Sequence, residues 1–248
     1  MNVPAYLDRI SYEGPLTPTV EVLRALHRAH MFAVPFENLD IGLGRKIICD
    51  ESRFLHKIVN EHRGGFCYEM NGAFAALLRE LGFQVTMLSA RVSGGDGSDG
   101  PEFDHMALRA ELEQPWLADV GFGDSFIEPL LLEPGLEQEQ FGRRYRVTPA
   151  GSGLCLEANT DGAWQKQYLF TLQARLLSEF AAMCHYRQTS PDSTFTSKRV
   201  CSLATPEGRI TVSGDKLIET RHGVREERLL TEGERLAILR ERFGVKLP

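Results

Sequence analysis

Seven histidines, five cysteines and many carboxylates supply the reactive side chains of this chain, and one cysteine stands apart from the rest. Cys67 sits in Arg63-Gly64-Gly65-Phe66-Cys67-Tyr68-Glu69-Met70-Asn71. Beyond the Gly-Gly pair, Met70, Phe74, Leu77, Leu78 and Leu81 recur at the spacing of one apolar helix stripe. Gly82 supplies the stop. The spacing therefore predicts a helix that begins near Phe66 and holds Cys67 in its first turn. There the unpaired N–H groups and the positive end of the helix dipole favour thiolate over thiol. Gly64 and Gly65 would leave the sulfur open to an approaching carbonyl. The same residues also suit a buried structural cysteine at a glycine-rich helix entry, and local features alone leave both readings standing.

A thiolate nucleophile needs a base, and the base needs an orienting group. His62 precedes the helix by too few residues to fold back onto Cys67. His27 and His30 follow Val20 and Leu23 at helical spacing and read as polar-edge or satisfied core residues rather than metal ligands. His105 lies on a strand directly after a Gly-rich loop. Its neighbour Asp104 points to the opposite face of that strand. Asp119 ends the otherwise apolar Leu117-Ala118-Asp119-Val120-Gly121-Phe122-Gly123, where a carboxylate is costly unless paired. Regular pairing about Gln114-Pro115 sets Asp119 opposite residue 108 or 109, so bringing it to His105 requires a bend or bulge. Plainer readings exist for both: a strand-end carboxylate bonded to turn N–H groups, and a half-buried strand histidine.

The elements that must position these groups come in three runs. Up to about residue 83 the pattern is helical. Thr17-Pro18 offers an N-cap and a first-turn proline, the helix ends before Val34-Pro35, and Pro35 to Asp40 reads as a polar turn. Asp50 caps a helix carrying Phe54, Leu55, Ile58 and Val59. From Gln84 the period changes to strands, at Gln84 to Val92, Asp104 to Glu111, Trp116 to Val120, Tyr145 to Thr148, Leu154 to Ala158 and Gln165 to Leu169. Ser93 to Pro101, including Asp96, reads as a flexible surface loop; it lacks the lysine and serine of a phosphate loop. Leu172 to Tyr186 turns helical again. Short strands at Arg199 to Leu203, Arg209 to Val212 and Lys216 to Glu219 precede a last helix, which opens on a capping box at Thr231-Glu232-Gly233-Glu234 and ends at Gly244.

The totals narrow the function. With 248 residues, 42% hydrophobic and 25% charged, the chain has room for a large core or two to three small ones. A net charge of −6 disfavours nucleic acid and polyanionic membranes as partners. No run of roughly 18 apolar residues suggests a membrane span, and Met1-Asn2-Val3-Pro4 lacks the features of a signal peptide. Cys49, Cys67, Cys155, Cys184 and Cys201 are odd in number and scattered, without zinc-site spacing. The expectation is a cytoplasmic protein with reduced thiols, no bound metal and no bound cofactor; a homo-oligomer is left open.

Five segments together resemble the arylamine N-acetyltransferase family, in the family's order and over nearly the whole chain. They are the cysteine stretch itself, Asp104-His105-Met106, Asp119 to Gly123, Val34-Pro35-Phe36-Glu37-Asn38-Leu39, and the pair Ser190-Pro191-Asp192-Ser193 and Val200-Cys201-Ser202-Leu203. The resemblance implies an α+β fold in three parts: a helical bundle (1–83), a central antiparallel β-barrel with a linking helix (84–187) and an α/β lid (188–248), in a papain-like cysteine-triad arrangement. It implies catalysis by Cys67, His105 and Asp119, acetyl-CoA as co-substrate, and a structural ion pair of Glu37 with Arg63. On this reading the thiolate attacks the acetyl thioester, CoA leaves, and an arylamine, arylhydrazine or arylhydroxylamine takes the acetyl group from the cysteine. Phe36, Tyr68, Phe122 and Phe195 are candidates for a flat slot around the acceptor ring, Phe122 foremost. The CoA-binding residues stay unassigned; Lys198, Arg199, Arg143 and Arg144 could offset the acidic surface. An amide synthase or a cysteine hydrolase with the same triad, and a non-enzymatic thiol-based binding module, are the competing readings.

Overall fold

The computed structural model describes residues 1–95, 97–160 and 162–247. Its first third is helical, as the periodicity predicts. Asn2 accepts the Ala5 N–H and starts helix α1 (Val3–Arg9). Helix α2 (Val20–Ala33) starts two residues later than its expected first residue, because Thr19 rather than Thr17 is the extended residue whose hydroxyl accepts the Val22 N–H. It ends at Val34, which is extended ahead of Pro35. The expected polar turn at Pro35 to Asp40 is instead a two-residue strand, β1 (Phe36–Glu37), followed by a short helix α3 (Leu39–Gly42). The strand forms because a partner distant in sequence lines up with it: Phe36 pairs with Ser202 and Glu37 with Cys201. Asp50 caps α4 (Glu51–Leu55), which widens into a turn over His56–Asn60. Helix α5 (Cys67–Glu80) follows, with Phe66 extended before it and Gly82 left-handed after it at φ +89°.

The middle of the chain is antiparallel. Strands β2 (Gln84–Val92), β3 (His105–Glu111), β4 (Pro115–Ala118), β5 (Leu130–Leu131), β6 (Gln138–Gln140), β7 (Arg143–Ala150), β8 (Gly153–Thr160) and β9 (Ala163–Phe170) form one sheet in the order β5-β4-β3-β2-β9-β8-β7-β6. The sheet curls into a nearly closed barrel around Leu88, Phe126, Val147, Leu156, Tyr168 and Phe170. Its seam is bridged by two side-chain amides standing in for backbone. Gln138 accepts from Leu131 N–H and donates to Leu131 C=O, at 2.8 and 3.0 Å. Gln140 accepts from the N–H groups of Ile127 and Glu128 and donates to the Glu128 carbonyl. The opposite face of β2–β4 presents Met87, Met106, Leu108, Ala110, Trp116 and Ala118 to the core that holds α2 and α5. These strands are therefore buried on both sides, which ties the helix of Cys67 to the strand of His105.

The expected loop after β2 is present, and the part of it that is described folds back on the sheet: Gly100 N–H donates to Val92 and Arg91 Nε to the Gly100 carbonyl. Asp96 lies outside the described residues. The helix expected from Leu172 begins later. Residues 171–176 are not helical: Arg175 N–H is bonded to Met87 C=O at 2.9 Å, and this long-range bridge overrides the local helical spacing. A tight turn at Leu177–Phe180 then leads into α6 (Ala181–Thr189). After α7 (Thr194–Ser197), the lid is a sheet of β10 (Val200–Thr205), β11 (Gly208–Ser213), β12 (Lys216–Arg221) and β13 (Val224–Leu229), joined to β1 at its edge and backed by α8 (Glu232–Phe243). Strand β13 has no apolar alternation, and all six of its residues are exposed, so sequence patterning passes over it. Thr231 and Glu234 form the expected capping box on α8, and Gly244 closes the helix in the left-handed region. No helix among the described residues is long and apolar enough to cross a membrane.

Two glycines in this framework test the packing. A Cβ on Gly64 would run into the backbone carbonyl of Pro35, where the two segments lie side by side. Gly64→Ala should therefore destabilise the protein by about 3 kcal/mol or more in urea unfolding. Gly233, in the first turn of α8, has open space around its Cβ position; Gly233→Ala should stabilise by about 0.5 kcal/mol through helix propensity. Equal effects at the two sites would mean that the close approach at Gly64 is not there.

Candidate active site

Cys67 is the first residue of α5 and so belongs to the turn whose N–H groups have no partner within the helix. It is 4% exposed, more enclosed than a helix-start thiol on a surface. The Gly-Gly pair does something other than open a path to it. A Cβ on Gly65 would meet the Glu69 side chain at 2.6 Å, and one on Gly64 would strike Pro35. These two glycines make room for the chain's own packing. The glycine that lies against the cysteine is Gly121, where a Cβ would come within 2.8 Å of Cys67 Cα and 2.7 Å of Asn71 Nδ2.

His105 opens β3, and its Nε2 lies 2.6 Å from Asp119 Oδ2. Cys67 is the third member, its sulfur near enough to the His105 imidazole to act on its charge. Burial by itself would push the imidazole down. The Asp119 carboxylate and its hydrogen bond outweigh burial, the Cys67 sulfur adds to them, and the pKa rises from 6.5 to about 10. Asp119 responds in the opposite sense: burial acts to raise it, and the charge and hydrogen bond of His105 bring it below the ordinary carboxylate range. The pair is an imidazolium and a carboxylate.

The bend that this pairing requires lies where β4 leaves the sheet. The β3–β4 ladder runs from Glu111↔Pro115 to Leu108↔Ala118, a register that would carry Asp119 to residue 107, one short of the expected 108 or 109. The ladder stops at Ala118, and three consecutive N–H groups turn to side chains instead. Asp119 N–H donates to His27 Nε2 at 3.1 Å, Val120 N–H to Asn71 Oδ1 at 2.9 Å and Gly121 N–H to Asp119's own Oδ1 at 3.0 Å. Asn71 also donates to Asp119 Oδ1 and to the Met106 carbonyl of β3. Tyr168, from β9, donates to Asp119 Oδ2 at 3.1 Å and packs its ring on His105. Burial and the adjacent carboxylate hold the Tyr168 hydroxyl well above its ordinary pKa, so it stays a donor.

Asn71 lies one helical turn beyond Cys67 in the stretch singled out by sequence, yet nothing local marks its partner. Tyr168 has no sequence signal at all; it is one aromatic among many on alternating strands. His27 and His30 are both fully buried, which fits their reading as core residues.

Behind the helix start lies more than one ion pair. Arg63 donates to Glu37 at 2.9 Å through Nε, and its Nη2 reaches Glu37 at 2.6 Å and Asp40 at 3.1 Å. Lys57 joins them at 2.8 Å from both Asp40 and Glu69. Glu69 turns its second oxygen to the Phe66 N–H at 3.1 Å, completing the entry to α5. Burial pushes the Glu69 carboxyl up to about 7 against the opposing charge of Lys57.

The four candidate aromatics separate into two sets. Phe36, Phe122 and Phe195 are half-buried, with Phe36 and Phe195 6.2 Å apart and Phe122 edge-on to His105 at 5.2 Å. Phe36 also flanks Gly123, beside Phe122. Tyr68 is fully buried, packed on Phe66 and Phe180, and its hydroxyl donates to the carbonyls of Phe103 and Asp104 just ahead of His105. Its ring braces β3 from within the core and meets no solvent. A cavity of about 650 Å³ opens between the barrel and the lid, with Arg143, Arg209, Asp124 and His222 on its walls and none of the four aromatics among its lining residues. Arg143 thus lines that cavity. Arg144 pairs with Glu137, and Lys198 and Arg199 line a separate hollow beside Arg235.

A family described as N-acetyltransferase matches residues 19–248. An arylamine N-acetyltransferase of Escherichia coli is 34% identical over 97% of this chain and 87% of its own length. One from Mycolicibacterium smegmatis is 34% identical over 100% of this chain and 93% of its own. The structure of the Mycobacterium marinum arylamine N-acetyltransferase in complex with CoA superposes with a TM-score of 0.93 at 33% identity, covering 98% of this chain and 93% of that one.

The imidazolium has a consequence for stability. As pH rises, the unfolded chain releases the histidine proton near 6.5 and the folded chain near 10. The pair's contribution is therefore whole below about pH 6.5 and gone above about pH 10. Thermal melts of the wild type should decline over that interval, and His105→Gln, which keeps a donor for Asp119 but cannot titrate, should flatten the decline. Parallel curves for the two proteins would contradict the ion pair.

Proposed function

Because this chain belongs to the arylamine N-acetyltransferase family, we propose that Cys67 carries the acetyl group from acetyl-CoA to an aromatic amine, hydrazine or hydroxylamine. The protein is an acyltransferase of that type. The observation that supports the assignment of Cys67 most directly is that three buried residues, Cys67 at the start of α5 and the His105–Asp119 pair at 2.6 Å, act on one another, the carboxylate and the Cys67 sulfur both favouring the protonated histidine. A sulfur beside an imidazolium at a helix N-terminus is a prepared nucleophile.

In the first half-reaction the sulfur attacks the thioester carbonyl, and N–H groups at the start of α5 face the developing oxyanion. CoA leaves as the thiol, taking the proton from His105. A new thioester remains on Cys67, nearly isoenergetic with the old one. In the second half-reaction the amine nitrogen attacks that thioester, His105 accepts its proton, and the amide forms as the Cys67 sulfur departs. Asp119 keeps the imidazole in one orientation through both steps.

The acceptor ring is assigned to the space bounded by Phe36, Phe122 and Phe195, whose half-buried faces can meet an aromatic substrate; Tyr68 is left as a core brace. The acyl donor is assigned to the 650 Å³ cavity on its place in the fold, since Asp124 on its wall lies in the same loop as Phe122 and Gly121; Arg143 and Arg209, also on that wall, are both paired with Asp124. On this proposal the parts divide the work: residues 1–83 bring the nucleophile, 84–187 the histidine and aspartate, and 188–248 the lid.

The test is the isolated first half-reaction. Acetyl-CoA alone should release one equivalent of CoA quickly and then nearly stop, and intact-protein mass spectrometry should find one acetyl group on Cys67. Added arylamine should clear it and yield the N-acetyl product, with parallel double-reciprocal lines in steady state. Cys67→Ala should abolish the burst while lowering stability by only about 1 kcal/mol, since a single buried sulfur is lost. Continuous CoA release without amine would mark a hydrolase. No release before amine arrives, or an acetyl group on another cysteine, would overturn the assignment of Cys67.

A further inference from the structure

His27 stands on α2, 92 residues from Asp119 in sequence, and its ring bridges the two ends of the loop that surrounds the site. At one end Nε2 accepts the Asp119 N–H at 3.1 Å; at the other, Nδ1 donates to the Ile127 carbonyl at 2.7 Å. Between these ends lie Gly121, packed on Cys67, and Phe122, packed on His105. The two partners settle the protonation state without further argument. An N–H can be bonded only by an unprotonated nitrogen and a carbonyl only by a protonated one, so the ring is the neutral Nδ1–H tautomer. It is fully buried, lies nearly parallel to Phe126 at 5.7 Å and meets Phe74 of α5 edge-on at 5.8 Å. Burial lowers its pKa to about 4, so the tautomer persists across the neutral range.

We propose that His27 is a positioning residue for acyl transfer: by taking the Asp119 N–H at the point where β4 leaves the sheet, it turns the Asp119 carboxylate onto His105 rather than along the ladder. The inference rests on the roles proposed above for Cys67, His105 and Asp119. Its physical basis is that the N–H of residue 119 must bond something. If the His27 nitrogen were absent, that group would be left unpaired in the core or drawn back toward β3, and the carboxylate on the same residue would move with it. The other donors to Asp119, from Asn71, Tyr168, His105 and the Gly121 N–H, aim at its oxygens, and Asn71 holds the next N–H, that of Val120, but not that of Asp119. The bond to Ile127 closes the loop and serves folding; the bond to Asp119 is the one that bears on the reaction.

The two bonds can be separated. An asparagine amide at position 27 reaches about as far as Nδ1 and can keep only the Ile127 bond, whereas a glutamine amide reaches the place of Nε2 and can accept from Asp119. Both lose the ring and its contacts with Phe74 and Phe126, so both should melt below wild type. The readout is the rate of the CoA burst with acetyl-CoA alone, together with its dependence on acetyl-CoA concentration. His27→Asn should slow the burst by roughly three- to tenfold, the worth of one hydrogen bond, with the half-saturating concentration little changed; His27→Gln should recover most of the rate. Equal rates in the two variants, or a slower glutamine variant, would overturn the proposal. An intact wild-type burst on Cys67 in the same experiment would leave the function proposed above untouched. A second measurement needs no variant: the ring-nitrogen NMR of wild-type His27 at pH 7 should show a protonated Nδ1 and a bare Nε2. A proton on Nε2 would exclude the bond to Asp119 and overturn the proposal.

Discussion

A carboxylate buried to 1% exposure must find donors, and in Asp119 both oxygens are used twice. Oδ1 accepts from Asn71 and from Gly121 N–H, and Oδ2 from His105 and Tyr168. The donors come from α5, from the loop after β4, from β3 and from β9. Satisfying one buried charge therefore fixes how the barrel meets the helical bundle, because each of these elements must be in place for the carboxylate to be solvated by protein. The imidazolium follows from the same constraint. Asp119 is ionised because it is so well bonded, and an ionised Asp119 keeps His105 charged.

A second buried charge set lies behind the nucleophile. Glu37, Asp40 and Glu69 face Lys57 and Arg63, with each cation shared between carboxylates. Desolvating such groups is expensive, and the arrangement holds only because each is multiply bonded. Its structural effect is local and specific. Glu69 is both a member of the set and the group that accepts the Phe66 N–H, so the charges grip the turn that aims the Cys67 sulfur. Gly64 and Gly65 belong to this arrangement rather than to substrate access, since any side chain there would separate the Arg63 segment from Pro35 or displace Glu69.

The barrel and the lid meet the site from the other side. The β5/β6 seam is bridged by Gln138 and Gln140, and the bonds from Gln140 reach Ile127 and Glu128, at the far end of the loop that starts with Asp119. His27 grips the same end at the Ile127 carbonyl. The loop that carries Gly121 and Phe122 is thus held by the helical bundle and by the barrel seam, while Asp124 bonds Arg209 of the lid. All three parts of the fold converge on a few residues of irregular chain, which suits a segment that must pack against both Cys67 and His105.

Sequence by itself determined the features whose partners lie within a turn or two. The helix of Cys67 and its Gly82 stop, the Asp50 cap, the bounds of β2 and the capping box at Thr231 all depend on contacts between near neighbours, and periodicity and cap chemistry report those directly. The resemblance of five segments to one family brought Cys67, His105 and Asp119 together before any geometry was known; spacing alone left each with a plainer reading. Tertiary structure decided what depends on residues far apart. Phe36–Glu37 is a strand only because β10 lies beside it, and residues 171–176 stay out of the helix because Arg175 meets Met87. Asp119 turns to His105 because its neighbours in space are Asn71, 48 residues away, Tyr168, 49 away, and His27, 92 away. Local propensity has no access to such partners. A buried N–H or carboxylate demands that some partner exist, and only the folded chain determines which residue it is.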